Sequence, residues 1–490
     1  MTKSTLKKIF GLLFLGFCLS FSIQAQQIQT FDYTFKIKGL KAGDTCMIAN
    51  YLGTKQYIKD TLVVPKSGIV NYKGKDLDGG IYLFVVPGMK YFEFLAAEPK
   101  ISMETDLNDL VPAMKVKVSN ENKVFFDYLK FVEDKQKEGE KIKTDLGKEK
   151  AEPKIAELKA RMGEIESEVK AYRENVIKNN SDKFVSKLLH ASQEPELSEV
   201  PAGTSPEDAK LLQFKEYKGK YLDFVDFSDE RMLRTPILQN KIKDYLTRLT
   251  VQHPDSIILS IEDIMNRAQS NTEVFKYCVI TITNMYAGSK QMCFDKIYVH
   301  MAGTYYVSGQ ATWVDSTQMS KIKDRYYKMM YNTCQRTAVN LVLKDTEDKP
   351  IALSDVKGKY TVLIFWAYDC GHCKKEMPQL VEFYKKYKEH GVKMFTVTTK
   401  NDKEKWKTFL KEKGMEDWIN GYDPENKTNF RVFYDIYSTP VIYLLDEDKK
   451  ILAKRLDIHN LERLLSHELG LPMPEEPEKP KDDAGKGDSH

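Results

Sequence analysis

The stretch Phe365-Trp366-Ala367-Tyr368-Asp369-Cys370-Gly371-His372-Cys373-Lys374-Lys375-Glu376-Met377-Pro378 constrains this chain more than any other, because it sets two thiols at the joint between a buried strand and a helix. Ahead of it, Tyr360-Thr361-Val362-Leu363-Ile364-Phe365-Trp366 is a near-continuous apolar, β-branched run of the kind expected for a strand covered on both faces. Behind it, the apolar positions Met377, Leu380, Val381, Tyr384 and Tyr387 recur at three- and four-residue intervals. That spacing predicts a helix with one face on the sheet and with Lys374, Lys375, Lys385 and Lys386 in water. Cys370 falls in its first turn and Cys373 one turn inside.

The spacing suits disulfide exchange, in which a thiolate attacks a disulfide sulfur; free cysteine, with a pKa of roughly 8.5, is only a few per cent ionised near neutral pH. Unpaired amides and the positive end of the macrodipole favour negative charge at a helix start. Cys370 is therefore expected to be the nucleophile. A spacer of two residues within a helical turn brings Cys373 close enough to displace the first sulfur from a mixed disulfide, as the resolving thiol. A protonated His372 between them would stabilise the thiolate, whereas the Asp369 carboxylate pulls the other way while offering itself as a helix cap. The other reading of two cysteines so spaced is half of a structural zinc site, which needs four ligands. No second closely spaced cysteine or histidine pair exists here, so redox chemistry is favoured and neither metal nor cofactor is expected.

With its aromatic-Trp-Ala entry at Phe365-Trp366-Ala367, its two-cysteine motif and Pro378 five residues beyond Cys373, the segment 336–470 resembles a thioredoxin-fold domain of the envelope TlpA/ResA-like branch. Trp366 and the central Gly371-His372 pair then join Asp369 as expected tuning residues. The resemblance also makes Ser438-Thr439-Pro440-Val441-Ile442 the cis-proline loop, which in the family faces the cysteines and lets the backbone before the proline, here Thr439, pair with a substrate strand. A cis bond before Pro440 would fix a tight turn there. Two departures stand out. Ile364 occupies the place where thioredoxins commonly keep a buried acid, and Met394-Phe395-Thr396-Val397-Thr398 carries no glutamate, so proton transfer to and from Cys373 falls to water, His372 or a group from elsewhere. Gly371-His372 resembles the pair in disulfide isomerases, which leaves the direction of electron flow open.

Lys3, Lys7 and Lys8 precede the apolar run 9–17, and Ile23-Gln24-Ala25 ends in a small residue acceptable to a signal peptidase. Residues 1–25 are expected to be a cleaved export signal, placing the product in the periplasm or cell envelope. Phe17 is large for a lipoprotein cleavage site ending at Cys18, so lipid anchoring is the less favoured alternative. The formal charge of +4 falls to +1 once the three leader lysines are gone, and such a surface has no basic excess for nucleic acid. Of seven cysteines, Cys46, Cys278, Cys293 and Cys334 lie outside leader and motif, and both pairing and single burial remain open for them.

A chain of 490 residues exceeds what one core usually organises. Residues 26–118 read as a β-rich module, with Phe31, Tyr33, Phe35 and Ile37 alternating with polar neighbours and a Pro87-Gly88 turn separating two further strands. Residues 119–335 read as an α-helical region. There Ile155, Leu158, Met162, Ile165, Val169, Tyr172 and Val176 form a heptad seam, to be covered by the preceding helix (Val124, Tyr128, Phe131) in a hairpin or by a second copy. Tyr305, Tyr306 and Trp313 belong to a groove or, more in keeping with clustered aromatics, to a core. Residues 471–490, with four prolines among charges, are expected to be disordered. The fold expected is thus multidomain, an α/β thioredoxin fold at the carboxyl terminus preceded by a β-rich module and a helical region.

The function that follows is an exported thiol:disulfide oxidoreductase. The resemblance implies protein thiols and disulfides as partners, and a membrane electron donor if the chain works as a reductase; the oligomeric state is not legible. The competing class is an envelope binding or scaffold protein in which residues 26–335 hold a partner and the redox motif is regulatory or incidental.

Overall fold

The computed structural model describes residues 27–475. The expected export signal and the tail from 476 onward lie outside the described residues, while 471–475 carry neither helix nor strand. Two compact units divide the chain, one of residues up to Leu249 with Ile264–Tyr277, the other of Thr250–Asp263 with the chain from Cys278 onward.

The first unit begins with eight strands, β1 (Gln27–Lys38), β2 (Thr45–Leu52), β3 (Lys55–Val63), β4 (Ile69–Asp78), β5 (Gly80–Val85), β6 (Tyr91–Ala96), β7 (Lys100–Asp106) and β8 (Lys115–Val118). They form two four-stranded sheets, ordered β4-β1-β7-β8 and β3-β2-β5-β6. Alternation decides how these meet: Phe31, Tyr33, Phe35 and Ile37 all point inward from β1, and Phe35 reaches Phe84 of the other sheet with ring centroids 4.6 Å apart. The result is a sandwich. Helices α1 (Asn120–Leu146) and α2 (Glu152–Asn179) follow. Ser119 caps α1 by accepting the Asn122 N–H, and α2 folds back on it, Phe131 stacking on Tyr172 at 4.1 Å. The heptad seam is thus covered within the chain. Helices α3 (Phe184–Ala191), α4 (Pro206–Lys220) and α5 (Pro236–Thr247) come next, and α6 (Pro254–Ala268) and α7 (Thr272–Ala287) each have residues in both units.

In the second unit, α8 (Asp295–Met301) runs into a π-helical turn, Ala302–Val307, that buries Tyr305 and Tyr306, so these aromatics belong to a core; α9 is Ser316–Met329. Then come β9 (Val342–Lys344), β10 (Pro350–Ala352), β11 (Tyr360–Trp366), α10 (Gly371–Tyr387), β12 (Val392–Thr398), α11 (Lys403–Lys413), β13 (Ile419–Tyr422), α12 (Phe430–Phe433), β14 (Val441–Leu445), β15 (Ile451–Lys454) and α13 (Ile458–Leu469). The sheet order is β10-β9-β13-β12-β11-β14-β15, with β11 parallel to β12 and antiparallel to β14. Every β11 residue is buried. Val362, Ile364 and Trp366 pack on one side with Met377, Leu380 and Leu461, while Leu363 and Phe365 pack on the other with Phe430 and Tyr443. The buried stripe of α10 runs through Cys373, Met377, Leu380, Phe383 and Tyr387, leaving Val381 and Tyr384 at its margin.

A disulfide joins Cys293, just before α8, to Cys334. From there the chain runs along β15: the Gln335 N–H donates to the Ile451 carbonyl (2.7 Å) and the Ala338 N–H to that of Lys449 (2.8 Å), which covers a sheet edge. Lys454 of β15 pairs with Asp295 and donates to the Asn332 amide oxygen at 2.6 Å. Cys46 and Cys278 are free and buried, and burial pushes their thiols up to about 11 and about 12. Among the described residues no helix is long and apolar enough to cross a membrane.

Candidate active site

The end of β11 delivers the chain from a fully buried strand to the tip of α10, and Cys370 occupies the N-cap with extended backbone (φ −81°, ψ 126°). An N-cap side chain faces the unpaired amides of the first turn. As a thiol Cys370 makes no capping bond to them; it donates instead to the Thr439 carbonyl, with Sγ 3.2 Å from the oxygen. Burial pushes this thiol up. The Thr439 side chain, the Cys373 amide and thiol and the His372 amide, all of which favour the anion, outweigh that effect and hold it below the ordinary thiol value. Cys373 is fully buried, and burial pushes its thiol up to about 12. The two sulfurs are unbridged. One is half-exposed and poised to ionise, the other sealed and protonated.

The peptide before Pro440 is cis, and its loop lies against Cys370. Trp366, fully buried, sits in the same core cluster as Cys373 and packs on Phe409 at 5.0 Å. Gly371 is exposed, and a Cβ added there would meet nothing within 4 Å. His372 is exposed too, and its contribution at Cys370 comes through its backbone amide. Asp369 is not the helix cap; its carboxylate pairs with Lys400 at 2.8 Å, and that bond holds it below the usual carboxylate range. The lysine also offsets the negative charge that Asp369 would otherwise present to Cys370. The structure therefore brings Cys370, Cys373, Thr439 and Pro440 together, with Asp369 turned toward Lys400.

One titratable group escaped the sequence reading. Glu376 lies one turn beyond Cys373 on α10, half-buried, and burial raises its carboxyl above the usual range, with Asp457 adding to the effect and His372 opposing it. Its i+3 spacing from Cys373 was the available signal. Among the described residues no group of three or more acidic, histidine or cysteine side chains is placed to hold a metal ion.

The model of the AhpC/TSA family matches residues 334–458, and that of a domain of unknown function (DUF5106) matches 162–332. The chain is similar to the thiol-disulfide oxidoreductase ResA of Bacillus cereus, 33% identical over 129 residues that make up 26% of this chain and 73% of that protein. With ResA of Bacillus subtilis the identity is 34% over 117 residues, 24% of this chain and 63% of that protein. A solved domain of a possible thiol-disulfide isomerase from Cytophaga hutchinsonii is 37% identical, covering 28% of this chain and 93% of its own, with a TM-score of 0.27.

Proposed function

The chain belongs to the ResA family of thiol-disulfide oxidoreductases, and we propose that Cys370 is its attacking sulfur, Cys373 its resolving sulfur and the Thr439-Pro440 loop its substrate-positioning element. One observation carries this reading: a half-exposed sulfur at a helix tip, held below its ordinary pKa and 3.2 Å from the Thr439 carbonyl, beside a buried partner thiol.

The steps balance without a cofactor. The Cys370 thiolate attacks one sulfur of a protein disulfide; the substrate S–S bond breaks, its other sulfur leaves as a thiolate and takes a proton from water, and a mixed disulfide remains. Ionisation has a second consequence. Once the Cys370 proton is gone, the Thr439 carbonyl loses its donor and is free to accept an N–H from the substrate backbone, so activation and docking are coupled at one oxygen. Cys373 then gives up its proton and attacks the Cys370 sulfur. The substrate leaves with two thiols, and Cys370 and Cys373 are left oxidised; run backwards, the same steps oxidise a substrate. Burial pushes the Cys373 thiol up to about 12, so its proton needs an acceptor, and Glu376, three residues further along α10, is proposed for that role on its helical spacing.

Export to the periplasm or cell envelope belongs to the same proposal, supported by the leader pattern of residues 1–25 and by the Cys293–Cys334 bridge, which an oxidising compartment sustains. The purified chain should reduce a protein disulfide with a dithiol as electron source. Cys370→Ser should be inactive, and Cys373→Ser should accumulate a mixed disulfide visible on a non-reducing gel. Equal turnover by wild type and Cys370→Ser would overturn the assignment.

A further inference from the structure

The loop that carries Thr439 and Pro440 also carries an aromatic ring that neither the fold nor the exchange steps use. Tyr437 is 69% exposed, two residues before the carbonyl that meets Cys370, and Val432 of α12 is 41% exposed on the same approach to the loop. Most large apolar groups of this unit are inside; these are not.

The ring is nevertheless not loose. Lys328 of α9 lies over it, Nζ 5.7 Å from the centroid, and that ammonium is itself held by Asp324 at 2.7 Å. Residues just past the end of α9 pin the root of the loop. Tyr331 meets the Phe433 ring edge-on at 5.0 Å, and the Asn332 amide donates to the Phe433 carbonyl at 3.0 Å. From the sheet edge, Arg455 donates to both the carbonyl and the carboxylate of Asp435, at 2.9 and 2.6 Å. The loop is thus held by Lys328 of α9, by the residues just past that helix and by the residue after β15, with the Tyr437 side chain left facing solvent two residues before the carbonyl that meets Cys370. A rigid exposed aromatic on a fixed backbone is how protein interfaces anchor an apolar group from a partner.

We propose that Tyr437, propped by Lys328, is a substrate-positioning residue that receives an apolar side chain next to the cysteine of a polypeptide disulfide, so that α9 takes part in choosing the substrate. The proposal rests on the reading of Cys370 as the attacking sulfur. The occupant it commits to is an extended polypeptide segment with an aromatic or aliphatic residue flanking its disulfide, lying across the cis-proline loop.

The test uses the full chain and two synthetic peptides of about a dozen residues, each closed by a disulfide, identical except for Phe or Gly beside one cysteine. Wild type should prefer the Phe peptide in kcat/KM by roughly five- to tenfold, carried by KM. In Tyr437→Ala that ratio should collapse toward one; Tyr437→Phe should keep it. Lys328→Ala should lower the ratio by about twofold and Lys328→Arg should restore it. A wild-type ratio near one, an unchanged ratio in Tyr437→Ala, or equal losses on both peptides would overturn the proposal alone. Inactivity of wild type on both peptides, or activity of Cys370→Ser equal to wild type, would take down the oxidoreductase reading and this proposal with it.

Discussion

The second unit contains two pairs of cysteines, one open and one bridged. Cys370 and Cys373 stand apart as thiols at the tip of α10. Cys293 and Cys334, separated by 41 residues, are joined and packed against the core of the same sheet, with Cys334 only 4% exposed. The contrast shows that reactivity here is a property of place. The reactive pair owes its inequality to a helix end, where amides favour one sulfur's anion while burial keeps its neighbour protonated; the bridged pair, Cys293 half-buried just before α8 and Cys334 buried, has both sulfurs taken up in the bond that ties them together.

The largest expected difference between the pairs is in turnover. Cys370→Ser should cost at least roughly a thousandfold in disulfide reduction, whereas Cys293→Ser should stay within about twofold at a temperature where both remain folded. A comparable loss in Cys293→Ser would mean that the second pair takes part in electron transfer. The order should reverse for stability. Opening a bridge that closes a 41-residue separation should cost about 2–4 kcal/mol in chemical denaturation followed by a probe in the second unit, while Cys370→Ser should leave the midpoint nearly unmoved.

Smaller effects sharpen the asymmetry between Cys370 and Cys373. Glu376→Gln should slow steady-state turnover by roughly tenfold while leaving the alkylation rate of Cys370 intact, because it acts on the resolving step; a parallel loss of alkylation would remove Glu376 from its role. Alkylation of the native chain against pH should rise in one step below the ordinary thiol range, at Cys370, since a lowered pKa fills in the anion earlier. Cys373, Cys46 and Cys278 should stay unmodified there. The linkage runs the other way for Cys373: between about 9 and about 12 the unfolded chain ionises that thiol and the folded chain does not, so its contribution to stability is lost as pH rises through that window. The least effect expected is that of Lys400→Ala, which exposes Cys370 to the Asp369 charge and should slow alkylation at neutral pH by about twofold.

Much of this was legible in the residues. The apolar run 360–366, the cysteines at its end and the helical spacing beyond them describe β11 and α10 before any contact is known, because strand burial and helix capping act over a few neighbouring positions. The inward alternation of Phe31, Tyr33, Phe35 and Ile37 was equally plain. Where the reading drifted, a competing local option was equally good: Val381 and Tyr384 fit a helical stripe almost as well as Phe383, and the sheet chose the last. Asp369 looked like a cap because aspartate commonly is one, yet Cys370 took that position and Lys400 took the carboxylate.

By itself, then, the order of residues determined β11, α10 and the place of the two thiols where strand meets helix, since each depends on interactions within about one turn or one strand. Tertiary structure alone decided that Cys293 finds Cys334, that Cys373 is sealed while Cys370 is not, and that Lys328 of α9 meets Tyr437 beside the active loop. Those outcomes depend on burial and on meetings between distant segments, which side-chain periodicity does not encode and packing of the whole unit does.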